Sequence, residues 1–293
     1  MSNEQLAINN AAKLSAEPQA DTMHKNHCSL LTSHCSFPSA NPAIFSCERI
    51  AKNYEGVPVV KDINLELPRE GFISLVGPSG IGKTTLFNVL AGVDKPDTGK
   101  VYLHEEDITG ISGKVSYMLQ NDLLLEYRTV LDNVILPLLI HGEKKKTARE
   151  KASVFFPVFG LAGYEKKYPR QLSGGMRQRA ALLRTYMSHN EVMLLDEPFS
   201  ALDAITRGSM QQWYCEIVQT MKLSVIFITH DVEEALILSD TVYVMNGIPG
   251  AIIKKLAVLP PRPRARDFST SVQCSEQKRA ILEELGLVNQ IHG

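Results

Sequence analysis

The segment LVGPSGIGKTTL, Leu75 to Leu86, sets three glycines, a proline, a lysine and two threonines behind a short apolar run. Gly77-Pro78-Ser79-Gly80-Ile81-Gly82-Lys83-Thr84 satisfies the P-loop pattern G-x-x-x-x-G-K-[ST] at every fixed position. Glycines let a backbone turn tightly enough for successive N–H groups to converge on phosphate oxygens. A helix that follows offers its positive N-terminal end to the same oxygens. In such a loop Lys83 reaches the β- and γ-phosphates, Thr84 ligates Mg²⁺ through its hydroxyl, and Thr85 adds a contact to the α-phosphate. The flanks agree: FISLVG reads as a short buried strand, and GKTTLFNVLAGV as a helix ending near Gly92. This predicts binding of a nucleoside triphosphate, which kinases, GTPases, helicases and transporters share.

Working outward, IFSCERIAKNY and VVKDINLEL alternate apolar and polar residues around the turn EGVP, which predicts an antiparallel hairpin. GKVYLHEEDI reads as a further half-exposed strand. From about Thr129 to Tyr164 the pattern is mainly helical, broken at Pro137 and Pro157, with the charged run EKKKTARE as a solvated helix face. LSGGMRQRAALLRTYMS is a helix opened by glycines, and DAITRGSMQQWYCEIVQTM is a helix between the apolar strands EVMLLDEP and LSVIFITHD. Apolar strands alternating with helices predict a parallel sheet covered on both faces.

Two further motifs bear chemistry. VMLLDEP ends a strand in adjacent carboxylates, which are costly there unless they meet cations or bound water. Asp196 is placed to hold Mg²⁺, and Glu197 to polarise the water that attacks the γ-phosphate. In LSGGMRQR, Ser173, Gly174 and Gly175 open a helix and make a second anion-binding end, separate from the P-loop.

With this motif the chain resembles the ATP-binding subunit of an ABC transporter. Tyr54 lies where that family's adenine-stacking aromatic lies; Gln120 in YMLQND matches the Q-loop, Asp203 in SALD the D-loop, and His230 in ITHD the switch histidine. YPRQLSGGMRQRAALLR, LLDEPFSALDAITR and THDVEEALILSD, with an LPPRPR tail, are most similar to the nitrate/sulfonate/taurine importer ATPases and their relatives for thiamine-precursor pyrimidines. NVILPLL is also similar to the lipoprotein-release and macrolide-type ATPases.

The resemblance implies an α/β fold, a P-loop NTPase with a RecA-like parallel sheet core, an antiparallel β subdomain and an α-helical signature subdomain at about 121–175. The ATPase domain then spans 43–270, between an N-terminal extension (1–42) and a helical tail (271–293). ATP and Mg²⁺ are the implied ligands. ATP is sandwiched head to tail between the P-loop of one copy and Ser173–Gly175 of a second copy or a paralogous ATPase, with Asp203 at the same interface. Gln120 approaches Mg²⁺ and the attacking water, and His230 contacts the γ-phosphate. The region from Gln120 to Ile135 receives a coupling helix of a membrane permease, and a solute-binding protein takes part indirectly. DNA-repair ATPases of this superfamily insert a long coiled coil between Q-loop and signature, and translation factors carry two cassettes. Here about fifty residues without heptads separate Gln120 from the signature, and one cassette is present.

Bulk properties fit. The 293 residues carry a net charge of −1, with 44% hydrophobic and 22% charged residues, so no nucleic-acid partner is expected. The run VILPLLI is too short to span a bilayer, MSNEQLAINN lacks a secretory pattern, and five scattered cysteines read as reduced thiols. The expected location is peripheral, on the cytoplasmic face of the inner membrane. Within the extension, His24, His27, Cys28, His34 and Cys35 match no standard zinc spacing and read as part of a polar tail.

Overall fold

The computed structural model describes residues 42–265 and 267–287. The extension before Pro42, with its His and Cys residues, lies outside them. The expected hairpin forms: β1 (Ala43–Tyr54) pairs antiparallel with β2 (Val57–Pro68) across a two-residue turn. Both turn residues, Glu55 (φ 50°) and Gly56 (φ 82°), are left-handed, which matches the twist of the strands they join. GKVYLHEEDI, read as one strand, is two: β4 (Thr98–Leu103) and β5 (Glu106–Asp107), reversed at His104 and Glu105, again with positive φ. Among the described residues these strands form a four-stranded sheet, β2-β1-β4-β5.

The second sheet runs β10-β9-β3-β8-β7-β6. It comprises β3 (Phe72–Val76), β6 (Ser116–Met118), β7 (Val192–Asp196), β8 (Ser224–Thr229), β9 (Thr241–Asn246) and β10 (Ala251–Ala257). Pairing is parallel from β6 to β9, and β10 closes the edge antiparallel. β3, β7 and β8 are buried throughout, as strands covered on both faces must be.

Strand alternation sorts the core into two layers. Ile73, Leu75, Val192, Leu194, Ile226 and Ile228 pack with the antiparallel sheet and with α1 (Lys83–Leu90), through Leu86 and Phe87. Phe72, Met193, Leu195, Val225 and Phe227 face the other way, onto a helical layer. That layer contains α2 (Val130–Val134), α3 (Leu136–Ile140), α4 (Lys145–Ser153), α5 (Gly174–Tyr186) and α6 (Ala204–Thr220). Pro137 sits in the first turn of α3, where a proline is tolerated, so the break is a helix start. In α4, Ala148 and Ala152 are buried and the lysines and arginine remain exposed. A third cluster joins Val76, Val242 and Val244 to α7 (Val232–Leu238) and α8 (Val272–Glu284). The P-loop helix and the signature helix therefore lie on opposite faces of one parallel sheet.

Candidate nucleotide site

The loop from Gly77 to Gly82 leaves β3 and is shaped by its glycines. Gly80 (φ 79°) and Gly82 (φ 99°) adopt left-handed backbone, and a Cβ on Gly82 would come 2.7 Å from Val60 Cγ1 and 2.9 Å from Val59 Cγ1. A Cβ on Gly77 would overlap the carbonyl oxygen of Met245. The sheets meet beside this loop, where Lys61 N donates to Gly250 O at 3.0 Å and Gly250 N to Val59 O at 2.9 Å. Pro78, Ser79 and Gly80 form the exposed rim, and Ile81 is buried beneath it. Helix α1 starts at Gly82 with no side-chain cap and no acidic residue in its first turn, so its N-terminal N–H groups face the loop uncompensated.

Lys83 is buried, and its Nζ donates to Gly77 O and Pro78 O, both at 2.8 Å, which curls the ammonium back over the loop. Burial lowers its pKa, opposed by the nearby Glu197 and Asp196 carboxylates. Thr84 Oγ1 donates to Asp196 Oδ2 at 3.1 Å, joining the P-loop helix to the tip of β7. Thr85 lies beside the Tyr54 hydroxyl. Tyr54, at the end of β1, keeps its ring exposed, donates to Asp94 Oδ2 at 2.7 Å, and has Lys52 Nζ 5.3 Å from its ring centroid.

The catalytic candidates from three distant segments meet at one carboxylate. Glu197 Oε2 lies 3.1 Å from His230 Nδ1 and accepts from Gln120 Nε2 at 3.4 Å. Glu197 itself has φ 42°, an uncommon conformation for a non-glycine residue. It is held by Glu197 N donating to Ile228 O at 3.0 Å, and by Ser200 N and Oγ donating to Glu197 O at 3.1 and 2.9 Å. The turn thus carries Glu197 out of the buried strand toward His230, which follows the neighbouring strand β8.

Asp196 is buried, and burial raises its carboxyl pKa; Thr84, Lys83 and Tyr117 pull it back and Glu197 pushes it further up. Tyr117 went unnoticed in the sequence. Its hydroxyl, 3.3 Å from Asn88 Oδ1, also reaches Asp196, and burial beside that carboxylate pushes the phenol upward. A divalent cation would relieve the desolvated Asp196. Among the described residues no group of three or more His, Cys, Asp or Glu side chains could hold a metal by itself. Thr84, Asp196 and Gln120 are a sparse, all-oxygen donor set, which fits Mg²⁺, an ion that keeps several waters and takes the rest of its shell from phosphates.

The signature residues lie apart from this cluster. Ser173 caps α5, accepting from Met176 N at 3.3 Å, and no acidic residue occupies the first turn, so a second uncompensated helix end results. Gly175 is buried against α6, where a Cβ would come 3.2 Å from Thr206 Cγ2; Gly174 is exposed. Asp203 caps α6, accepting from Ile205 N and Thr206 N, and the Thr206 side chain holds its carboxyl below the usual range. Among the described residues no hydrogen bond or ion pair joins Ser173–Gly175 or Asp203 to residues 77–85.

A network that the motifs did not reveal ties α6 to the switch histidine. Glu234, buried in α7, accepts from Thr229 Oγ1 at 2.7 Å and from Gln211 Nε2 at 3.2 Å. Thr229 Oγ1 also accepts from Asp231 N at 3.0 Å, so the residues on either side of His230 are fixed. A glutamate at the fourth position after that histidine, on a short amphipathic stretch, was the available signal.

The ABC transporter family model matches residues 60–200. The formylaminopyrimidine import ATP-binding protein ThiZ of Halalkalibacterium halodurans is 38% identical over 78% of this chain and 88% of its own length. The aliphatic sulfonates import ATP-binding protein SsuB of Bacillus cereus is 36% identical over 80% of this chain and 91% of its own. The dimeric structure of MJ0796, a bacterial ABC transporter cassette, superposes with a TM-score of 0.64 at 26% identity, over 73% of this chain and 98% of that one. A phosphate cradle, paired carboxylates and a second helix end on the opposite sheet face, together with matches over most of the length of these relatives, lead to one conclusion: the chain belongs to the ABC transporter family, as an ATP-binding ATPase subunit.

Proposed function

We propose that the chain is the ATP-hydrolysing subunit of an ABC importer for nitrate-, sulfonate- or taurine-like anions or a thiamine-precursor pyrimidine. It would work at the cytoplasmic face of the inner membrane with a permease and, indirectly, a solute-binding protein. The carrying observation is the convergence of His230 and Gln120 on Glu197 Oε2, next to a cradle that holds Lys83, Thr84 and Asp196 together.

In this reading the N–H groups of residues 79–85 and Lys83 Nζ bind the phosphates, Lys83 trading its two carbonyl partners for phosphate oxygens. Tyr54 stacks on the base. Thr84, Asp196 and Gln120 would hold Mg²⁺, which would supply neutralisation of phosphate charge. Glu197 accepts a proton from the attacking water. His230 holds Glu197 oriented and contacts the γ-phosphate, while Gln120 positions the water.

Ser173–Gly175 and Asp203 have no phosphate within their own chain to serve, because they open helices on the far face of the sheet from α1. A second copy, turned head to tail, brings its P-loop to them. Closure is then driven by contacts present only in the nucleotide-bound pair, and hydrolysis removes those contacts. Exposed Leu119, Leu123 and Tyr127, on the segment around Gln120, supply apolar surface for a permease helix.

Uptake of labelled taurine, nitrate and formylaminopyrimidine, in cells lacking the subunit and in cells carrying Glu197→Gln, tests the assignment. Loss of uptake of one solute in both strains is expected. Unchanged uptake of all three overturns it.

A further inference from the structure

Glu234, in the first turn of α7, is 5% exposed. Among the described residues no hydrogen bond or ion pair joins it to residues 77–85 or to Glu197. Burying a carboxylate costs stability unless its oxygens are engaged, and both of these are. Oε2 accepts from Thr229 Oγ1 at 2.7 Å, and Oε1 accepts from Gln211 Nε2 at 3.2 Å with Arg207 Nε 3.8 Å away. Arg207 is itself held, its Nη2 donating to Leu202 O at 3.1 Å and its Nη1 standing 3.9 Å from Asp231 Oδ2. Helix α6 thus fixes the carboxylate from one side, and the other oxygen reaches the end of β8. A well-packed apolar side chain could fill such a place with no desolvation cost, which directs attention to what the carboxylate holds.

It holds the residue before His230. Thr229 is buried, and its Oγ1 donates to Glu234 while accepting from Asp231 N at 3.0 Å, so one hydroxyl bridges both flanks of the histidine. Asp231 Oδ1 in turn accepts from Glu233 N and Glu234 N at 2.8 and 3.3 Å. The His230 ring has no such support. Its side chain is 53% exposed, and among the described residues its hydrogen-bonding or ionic partner is Glu197 Oε2 alone, at 3.1 Å. A half-exposed ring with so little packing is aimed chiefly by its backbone. Glu197 hangs from the same strand, its N–H donating to Ile228 O at 3.0 Å. The spacing of His230 and Glu197 is therefore set by the last two residues of β8, Ile228 and Thr229, and Glu234 grips the second.

We infer that Glu234 is a positioning residue for ATP hydrolysis: through Thr229 it holds the His230 backbone so that the imidazole stays within reach of Glu197. This role depends on those proposed for Glu197 and His230 and adds no group on the nucleotide. Without Glu234 the ring drifts from Glu197, and misplacement by about 1 Å can cost about a hundredfold in rate.

The test is steady-state ATP hydrolysis by the purified full chain with Mg²⁺–ATP. Glu234→Ala should lower kcat about tenfold to a hundredfold while KM for ATP stays within about threefold. In a His230→Ala background the same change should cost less than about twofold, because the side chain through which Glu234 acts is already gone. Glu234→Gln keeps an acceptor for Thr229 Oγ1 and should hold kcat within about threefold of the parent. The assignment is overturned by a Glu234→Ala kcat within about twofold of the parent, by an equal fold loss with and without His230, or by a Glu234→Gln variant as slow as Glu234→Ala. A generally loosened fold gives the second of these, so the cycle separates positioning from destabilisation. Should Glu234→Ala fail to fold, Thr229→Val, which removes the bridging hydroxyl, takes its place in the same cycle with the same expected losses, and Thr229→Ser becomes the rescuing variant. Glu197→Gln is measured beside them. If it hydrolyses ATP as fast as the parent, the roles of Glu197 and His230 fall; if it is inactive while Glu234→Ala is unimpaired, the positioning role alone falls.

Discussion

Replacing Gly82 by alanine isolates what the phosphate loop demands of its backbone. Two penalties combine there. Gly82 has φ 99°, where an L-residue is disfavoured by about 1–2 kcal/mol. Its new methyl would also come 2.7 Å from Val60 Cγ1 and 2.9 Å from Val59 Cγ1, an overpacking that costs about 1–3 kcal/mol more. Gly80→Ala carries the first penalty alone, since φ is 79° but nothing lies within 4 Å of the added atom. For a chain of this size each kcal/mol corresponds to about 2–4 °C of melting temperature. Thermal unfolding of the nucleotide-free protein should place Gly82→Ala about 4–20 °C below the parent and Gly80→Ala about 2–8 °C below it, in that order. Val60→Ala removes the nearer obstacle, so its combination with Gly82→Ala should be less damaging than the sum of the single losses. Equal melting of the two alanine variants, or strict additivity with Val60→Ala, would refute the steric part of the reasoning.

Three other outcomes follow from the site. Glu197→Gln should retain ATP binding in an equilibrium titration while turnover falls by about 10²–10⁴-fold, the usual contribution of a positioned base; undiminished hydrolysis contradicts the role given to Glu197. His230→Ala should lower kcat far more than nucleotide affinity, because His230 holds Glu197 at 3.1 Å and its γ-phosphate contact is one among the many that the loop N–H groups and Lys83 supply; a loss confined to affinity counts against this. Asp196 gives a pH dependence. Its folded-state carboxyl is raised by burial, so the nucleotide-free protein binds more protons folded than unfolded between the ordinary and the raised value. Stability contributed there is present at low pH and is lost as pH rises through the raised value. Asp196→Asn should therefore gain in melting temperature relative to the parent as pH rises, and a flat difference across the acidic-to-neutral range would contradict it.

Much of this was legible in the sequence because local physics decided it. The P-loop, its strand and its helix share one continuous segment, and the hairpin of β1 and β2 is marked by its turn and by the alternation of Ile63, Leu65 and Leu67 in β2, although the β1 register is irregular. The apolar runs of β7 and β8 could only be doubly covered strands. What escaped notice was short or assembled from afar. β6 is three residues between loops, too brief for a period to register, yet it delivers Tyr117 to Asp196 and leads to Gln120. His104 and Glu105 form a turn without glycine or proline, so two strands read as one. The meeting of Gln120, Glu197 and His230 depends on the order β8-β7-β6, which resemblance implied but spacing did not fix. The link from Glu234 to Gln211 arises from packing of helices distant in the chain.

In the proposed arrangement two copies hold one nucleotide between them, because the P-loop and the Ser173 helix end occupy opposite faces of a single sheet. Sedimentation of Glu197→Gln with and without Mg²⁺–ATP addresses this most directly. A monomer that becomes a dimer on addition of nucleotide is expected, with a Ser173→Arg companion that stays monomeric while still binding ATP. A Glu197→Gln protein that remains monomeric at saturating nucleotide, or a Ser173→Arg companion that dimerises equally well, would contradict it.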